Sequence, residues 1–303
     1  MKKLINAIDT FLFSKTSAAP LAYFRIGIAS LCLIHIAAFW QDIPALWGNQ
    51  GYIFTDINKL FITDNTPNFF ILSTILQSFP SINEADTLYF LFYLYIGALL
   101  LLLTGLCTRG SALLSWYLHF VFVKNAFLSS YGMDYILTSA LFYCVILPVN
   151  RHFSLDSLLF KPNKMVYSFS LRLIQIHLCL IYFFAGVSKL LGVQWWTGEA
   201  IWRSLNRYAF YTVDFGWLSN YPLLCQMLSL TVIFVESTYF IGIWFEKTRK
   251  IWLFVAICTH LNIMFLMKLY YFGWLLIVFN LAAFYFPYYN LGKMKTRQFS
   301  SVH

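Results

Sequence analysis

Long runs of apolar residues, separated by short polar segments, make up most of the chain. Eight are continuous and approach the roughly 20 residues that a helix needs to cross a hydrocarbon core about 30 Å thick. They are Ala19–Trp40, Thr87–Cys107, Ser111–Leu128, Met133–Val149, Ser168–Leu191, Leu223–Phe245, Ile251–Lys268 and Tyr270–Tyr288. The third, fourth and seventh are short, so one of them could be tilted or partly re-entrant. Strands of a membrane barrel would alternate in polarity, so the pattern predicts an all-α, polytopic integral membrane bundle of about eight transmembrane helices.

The composition agrees with a membrane protein. Hydrophobic residues fill 60% of the 303 positions and charged residues only 11%, whereas a soluble domain has about 25% charged residues. The six cysteines lie in or at the ends of the predicted spans without a CxxC pair, so we predict neither a disulfide framework nor a metal site. The first apolar run lacks a small-residue cleavage site, and we expect it to be an uncleaved targeting signal.

Basic residues predict the orientation of the bundle. Most of the cations lie in the odd-numbered segments outside the spans, namely Lys2, Lys3, Lys15, Arg109, Arg151, Lys161, Lys164, Lys247, Arg249, Lys250, Lys293, Lys295 and Arg297. Because basic loops stay in the cytoplasm, we expect both termini to be cytoplasmic and loops 41–86 and 193–222 to face outward. The net charge of +9 therefore indicates orientation and not a nucleic-acid partner.

These observations predict three segments. A cytoplasmic N-terminal segment covers 1–18, a transmembrane domain covers 19–288, and a cytoplasmic tail covers 289–303. The first outer loop contains PNFFILSTILQSFP, which is too short to span and is expected to lie on the outer surface or fold back into the bundle. The second outer loop carries aromatic residues typical of the headgroup level, among them Trp196.

Six charged or polar residues interrupt the apolar runs: Arg25, Lys124, Asp134, Lys189, Glu236 and His260. A charge at the bilayer centre costs roughly 2.5 to 3.5 kcal/mol, so each is a candidate functional residue. Structural alternatives stay open for each of them. Arg25 could snorkel to the headgroups or pair with a carboxylate, and Lys124 and Asp134 could pair across a tight turn. Glu236 must be protonated, paired or in a polar cavity, and His260 could simply hydrogen-bond between helices.

Lys189 ends a polar stripe on an otherwise apolar helix. Gln175, Tyr182 and Lys189 recur every seven residues, a spacing that a helix keeps on one face to within about 20°. Gly186 would let a neighbouring helix or a ligand approach the same turn. Two interpretations of Lys189 follow: it snorkels to the outer interface, or it faces an enclosed cavity in which desolvation favours a neutral amine that can accept a proton.

Several motifs resemble one known family. The stretch AGVSKLLGVQWWTGEAIW is similar to the A-G-x-x-K-L segment, with the following tryptophan and glycine, of the vitamin K-dependent γ-glutamyl carboxylase and its bacterial relatives, the horizontally transferred transmembrane (HTTM) family. YFRIGIASLCLIH with LWGNQGYIF, SSYGMDYILTSALFY, and THLNIMFLMKLYYFGW resemble the same family in the same order. By this resemblance the chain is similar to a bacterial member of the family. We therefore expect it to be a multi-pass protein of the bacterial cytoplasmic membrane.

The resemblance implies a chemistry. In the carboxylase, the lysine that matches Lys189 deprotonates a reduced quinone, and the reaction ends in a carboxylation, a lyase activity. The resemblance places His260 and Glu236 in the same pocket, so we expect Lys189, His260 and Glu236 to be catalytic. The expected substrate-binding residues are Tyr182, Gln175, Asp134, Tyr131, Asn262 and Trp196. A reduced quinone is the expected cofactor.

The chain also departs from the carboxylase pattern. The histidine at the start of the carboxylase's fourth span has no counterpart, so Asp134 or Tyr131 would have to replace it, and Ser188 stands where a second lysine precedes the catalytic one. We expect the luminal propeptide-binding region to be absent. An alternative function is therefore maturation or export of a small secreted peptide together with an accessory membrane protein, as in the sporulation-delaying protein B branch. A transporter or scaffold is a third interpretation.

Overall fold

A computed structural model describes residues 2–48, 51–52, 84–126, 129–208 and 213–288. The described residues fall into two compact units, one from Met1–Pro20 with Met165–His303 and the other from Leu21–Lys164. All of PNFFILSTILQSFP and all of the predicted tail 289–303 lie outside the described residues. The described residues are all-α except for one pair of short strands, which lies in the first unit.

The first unit contains the N-terminal helix and the later helices. These are α1 (Lys2–Phe13), the start of α2 (Ala19–Ala38), α8 (Phe169–Leu190), α9 (Val193–Trp196), α10 (Glu199–Leu205), α11 (Pro222–Gly242), α12 (Glu246–Leu266) and α13 (Tyr270–Asn280), which continues as a π-helix over Leu281–Tyr285. Strands β1 (Lys15–Ser17) and β2 (Met165–Tyr167) pair antiparallel, with Lys15 opposite Tyr167. Three-residue strands carry no periodicity that a sequence can reveal, and we did not predict this pair.

The second unit contains most of α2, α3 (Ile43–Trp47), α4 (Glu84–Thr104), α5 (Thr108–Asn125), α6 (Gly132–Ile146) and α7 (Leu155–Phe160). Each of the eight predicted spans has a helix at its position. Among the described residues, six helices are long and apolar enough to cross a membrane: Ala19–Ala38, Asp86–Thr104, Phe169–Leu190, Pro222–Gly242, Glu246–Leu266 and Tyr270–Tyr288. The all-α, polytopic membrane bundle is therefore confirmed.

The structure gives the lengths of the three spans that the sequence predicts to be short. Helix α6 has 15 residues and is about 22 Å long, which is less than a hydrocarbon core of about 30 Å. Helix α5 has 18 residues, and neither α5 nor α6 is among the six. The seventh predicted span is not short, because α12 begins at Glu246 and runs for 21 residues. The first turn of α12 carries charged residues, so the apolar pattern placed the start of this span too late.

Arg25 is fully buried in the second unit and does not snorkel. Its guanidinium donates to the Val149 carbonyl oxygen at 3.3 Å and to the Phe153 carbonyl oxygen at 2.5 Å. Both carbonyls lie in the connection between α6 and α7. Arg25 therefore joins α2 to the α6–α7 connection, a structural role.

Asp156 fixes the start of α5 from α7. Its carboxylate accepts hydrogen bonds from the Cys107 and Thr108 backbone N–H groups, each at 2.9 Å, and from the Thr108 hydroxyl at 2.7 Å. Burial raises the pKa of Asp156, but these hydrogen bonds outweigh burial and bring the pKa below its usual value. An ionised carboxylate at a helix N-terminus also interacts favourably with the helix dipole.

Candidate functional site

The site in the first unit depends on the close approach of α8 and α11. Gly186 of α8 lies against the backbone of α11, and a β-carbon on it would be 2.5 Å from the Ser237 backbone nitrogen and 2.9 Å from the Glu236 carbonyl carbon. Only glycine leaves room for two helix backbones at this distance. The contact brings the last turn of α8 beside Glu236.

Lys189 and Glu236 form an ion pair across this interface. The Lys189 Nζ lies 2.5 Å from the Glu236 Oε2, and the two side chains are 20% and 15% exposed. The Lys189 Nζ also lies 5.1 Å from the centre of the Trp195 ring, within range of a cation–π interaction. Of the states predicted for Glu236, the structure contains the paired one, and Lys189 is half-buried with a carboxylate partner.

A buried hydrogen-bond network continues from Tyr182, seven residues before Lys189. The Tyr182 hydroxyl lies 2.6 Å from the His260 Nε2 and 3.0 Å from the Asn280 Nδ2. The Tyr239 hydroxyl donates to the Asn280 Oδ1 at 2.7 Å, and the Tyr182 and Tyr239 rings stack with centroids 3.9 Å apart. The network therefore joins α8, α11, α12 and α13.

The network implies a tautomer for His260. An amide nitrogen only donates, so the Tyr182 oxygen accepts from Asn280 and its proton is free to bond to the His260 Nε2. The imidazole hydrogen is then assigned to Nδ1. His260 is 4% exposed, and its Nδ1 has no hydrogen-bond partner among the described residues. A buried N–H without a partner is costly.

Gln175, the first residue of the polar stripe, contacts the π-helix. Its Nε2 donates to the Ala283 carbonyl oxygen at 2.6 Å, and its Oε1 accepts from the Arg172 guanidinium at 2.7 Å. π-Helical turns are rare and often lie at functional sites. Gln175, Tyr182 and Lys189 thus all make polar contacts from one side of α8, as their spacing suggested.

A second cluster lies entirely within the other unit. It surrounds a cavity of about 130 Å³ whose lining includes Tyr95, His119, Tyr131 and Asp134. The His119 Nδ1 lies 3.1 Å from the Tyr95 hydroxyl. The Asp134 carboxylate accepts from the Tyr131 backbone N–H at 2.9 Å, at the N-terminal end of α6. The structure thus brings together Asp134 and Tyr131, both predicted as binding residues.

The alternative of an ion pair between Lys124 and Asp134 is wrong. In the described part of the chain Asp134 makes no ion pair, because its carboxylate is engaged at the start of its own helix. That position suits a carboxylate, since it satisfies a free N–H and lies near the positive end of the helix dipole. The Lys124 Nζ instead lies 5.7 Å from the centre of the Phe120 ring.

Comparison with known proteins gives the family. The HTTM domain model matches residues 13–288, most of the chain. This chain belongs to the HTTM family. No curated protein and no solved structure matches it. All the predicted site residues of this HTTM protein, from Tyr131 to Asn262, lie inside the matched segment.

Two predicted residues of the HTTM protein lie apart from the network around Lys189. Trp196 is 48% exposed, and its Nε1 donates to the Leu190 carbonyl oxygen at 2.8 Å. Its neighbour Trp195 is the tryptophan beside Lys189. Asn262 is exposed, because two residues along a helix turn the side chain about 200° away from His260.

Sequence reasoning missed two members of the network, Tyr239 and Asn280. Both are fully buried. Tyr239 comes three residues after Glu236, a spacing that places two helical residues on one face. Asn280 is a single amide in an apolar run, and the same insertion cost that singled out the charged residues should have drawn attention to it. The described residues contain no group of three His, Cys, Asp or Glu side chains placed to hold a metal ion.

Proposed function

We propose that this HTTM protein is a membrane enzyme in which Lys189 is the general base, acting on a quinol-like or peptide substrate. The observation that carries the proposal is the half-buried pair of Lys189 and Glu236, with their charged atoms 2.5 Å apart. General-base catalysis requires an amine that can lose its proton and then accept another. A carboxylate at hydrogen-bond distance provides a place for that proton.

The proton transfer within the pair is balanced. When the Lys189 Nζ gives a proton to the Glu236 Oε2, an ammonium and a carboxylate become an amine and a carboxylic acid. Removal of both charges reduces the cost of holding the pair in a low-dielectric bundle. The neutral amine then accepts the substrate proton: the substrate O–H or C–H bond breaks and an N–H bond forms on Lys189.

We propose that His260 stabilises the charge left on the substrate. Its unpartnered Nδ1–H is a suitable donor to an oxygen that becomes negative as the proton leaves. Tyr182 and Asn280 hold the ring in the required tautomer through contacts of 2.6 and 3.0 Å. In this proposal Lys189 is the base, Glu236 holds its proton, and Tyr182 and Asn280 are positioning residues.

A reduced quinone is the cofactor that the resemblance implies, and we propose that it binds beside His260. The buried, unpartnered Nδ1 of His260 would donate a hydrogen bond to an oxygen atom of the quinone ring. When bound, a reduced quinone would supply an acidic hydroxyl proton and reducing electrons.

Mass spectrometry of the purified protein tests this function. The wild-type protein and the Lys189→Ala variant would be purified in lipid nanodiscs, and their bound lipids, quinones and peptides compared with those of a Lys247→Ala control, which changes an exposed lysine. We expect a quinone with the wild type and the control. A secreted peptide and a partner protein without a quinone would instead favour the maturation or export function.

A further inference from the structure

Helix α1 has one apolar side and one polar side. At 100° per residue, Leu4, Ile5, Ala7, Ile8, Phe11 and Leu12 share one half of the helix, whereas Lys2, Lys3, Asn6, Asp9 and Thr10 share the other with Phe13, the last residue of the helix. No residue of α1 is buried. Leu4 is 66% exposed, Ile5 57% and Ile8 50%. Neighbouring exposed apolar side chains of this kind mark an interaction surface.

The length of α1 excludes a transmembrane position. Its 12 residues make a helix about 18 Å long, too short for a hydrocarbon core of about 30 Å. A short helix with a distinct apolar face is typical of helices that lie in the plane of the membrane surface.

The structure fixes the C-terminal end of α1 at the ends of three helices. The Phe11 carbonyl oxygen accepts from the Ser168 hydroxyl at 2.9 Å and from the Arg172 Nε at 3.2 Å. The Phe11 ring lies 5.6 Å from the Trp244 ring. Ser168 immediately precedes the span Phe169–Leu190, and Trp244 lies between the spans Pro222–Gly242 and Glu246–Leu266.

The paired strands β1 and β2 also lie at the start of candidate spans. Strand β1 ends two residues before α2, and β2 ends two residues before α8, and both helices are candidate spans. Two spans therefore start directly beyond one pair of strands. That pair lies where the chain enters the membrane, and α1 is attached at this boundary.

The charge of α1 favours an anionic surface. Its polar side carries two basic residues, Lys2 and Lys3, and one acidic residue, Asp9. A further basic residue, Lys15, follows in β1. Basic residues beside an apolar face attract anionic lipid headgroups. We propose that α1 lies on the membrane, with Leu4, Ile5 and Ile8 among the acyl chains and Lys2 and Lys3 on anionic headgroups.

Fluorescence quenching in the full-length protein tests this proposal. Single cysteines at Ile8→Cys and Asn6→Cys, on opposite sides of α1, would carry an environment-sensitive dye in a Cys107→Ser background, which removes the exposed native cysteine. In nanodiscs that contain phosphatidylglycerol, we expect nitroxide-labelled lipids to quench the dye at position 8 at least threefold more than the dye at position 6, and aqueous iodide to show the reverse order.

The Lys2→Gln/Lys3→Gln variant supplies the electrostatic test. We expect it to reduce lipid quenching at position 8 in phosphatidylglycerol nanodiscs but not in phosphatidylcholine nanodiscs. Equal iodide quenching at positions 6 and 8 would overturn the proposal. Protection of position 8 that appears only when two copies share a nanodisc would also overturn it, because the apolar face would then contact a second protein.

Discussion

The Lys189 ammonium and the Glu236 carboxylate lie 2.5 Å apart, 47 residues apart in sequence, where α8 meets α11. Gly186, about one turn before Lys189, makes this contact possible because it lets the backbones of the two helices approach closely. The network of Tyr182, Tyr239, His260 and Asn280 lies beside the same interface. Helix contact, ion pair and network together constitute the candidate site.

A larger residue at position 186 is expected to separate α8 from α11. In the Gly186→Ala variant, the new β-carbon would lie 2.5 Å from the Ser237 nitrogen, and the resulting overpacking should cost about 1 to 3 kcal/mol of stability. Thermal unfolding in nanodiscs would measure this. Gly97→Ala is the matched control, because nothing lies within 4 Å of a β-carbon there, and it should leave stability unchanged or slightly higher. Equal effects of both changes would contradict the close contact.

Removal of one partner of the ion pair should cost more than removal of both. Loss of Lys189 alone, as in Lys189→Met, leaves Glu236 half-buried without its cation, and loss of a buried partner costs about 3 to 5 kcal/mol. The Glu236→Gln variant should also be destabilised. The Lys189→Met/Glu236→Gln double variant should be more stable than Lys189→Met. Strictly additive effects in this double-mutant cycle would show that the two residues do not interact.

Asn280 should hold the two tyrosines of the network. The Asn280→Ala variant leaves the Tyr239 hydroxyl without its acceptor, at a cost of about 1 to 3 kcal/mol. The Tyr239→Phe change removes only one hydrogen bond and should cost less, about 0.5 to 1.5 kcal/mol. Because both changes break the same contact, their effects on unfolding should not add. The Asn262→Ala control changes an exposed amide and should have little effect.

Asp156 should make stability depend on pH. Its pKa in the folded protein is lowered, so its contribution is present above the usual carboxyl pKa of about 3.9 and is lost as pH falls through the lowered folded value. We expect Asp156→Ala to cost about 0.5 to 2 kcal/mol at neutral pH, and its difference from the wild type to shrink in acid. The exposed Asp9→Ala control should show no such difference. A constant penalty across pH would contradict the role of the charge.

The sequence predicted the helices well because transmembrane length and polarity are local properties. It also singled out Lys189 and Glu236 through their insertion cost. The contact between Lys189 and Glu236 could not be predicted, because it depends on how α8 and α11 pack. Gly186 alone does not show which helix lies against it. The same limit applies to the two tryptophans after α8, because the sequence does not show which ring reaches Lys189, and in the structure it is Trp195.

The central claim is that Lys189 accepts the substrate proton. Its direct test is single-turnover conversion of the molecule that copurifies with the wild type, measured for wild type, Lys189→Arg and the Lys247→Ala control in nanodiscs. General-base catalysis contributes about 10² to 10⁴-fold, and arginine cannot give up its proton. We therefore expect Lys189→Arg to bind the molecule and to convert it at least about 100-fold more slowly, with the control at the wild-type rate. Wild-type conversion by Lys189→Arg would contradict the claim and leave the ion pair a structural contact.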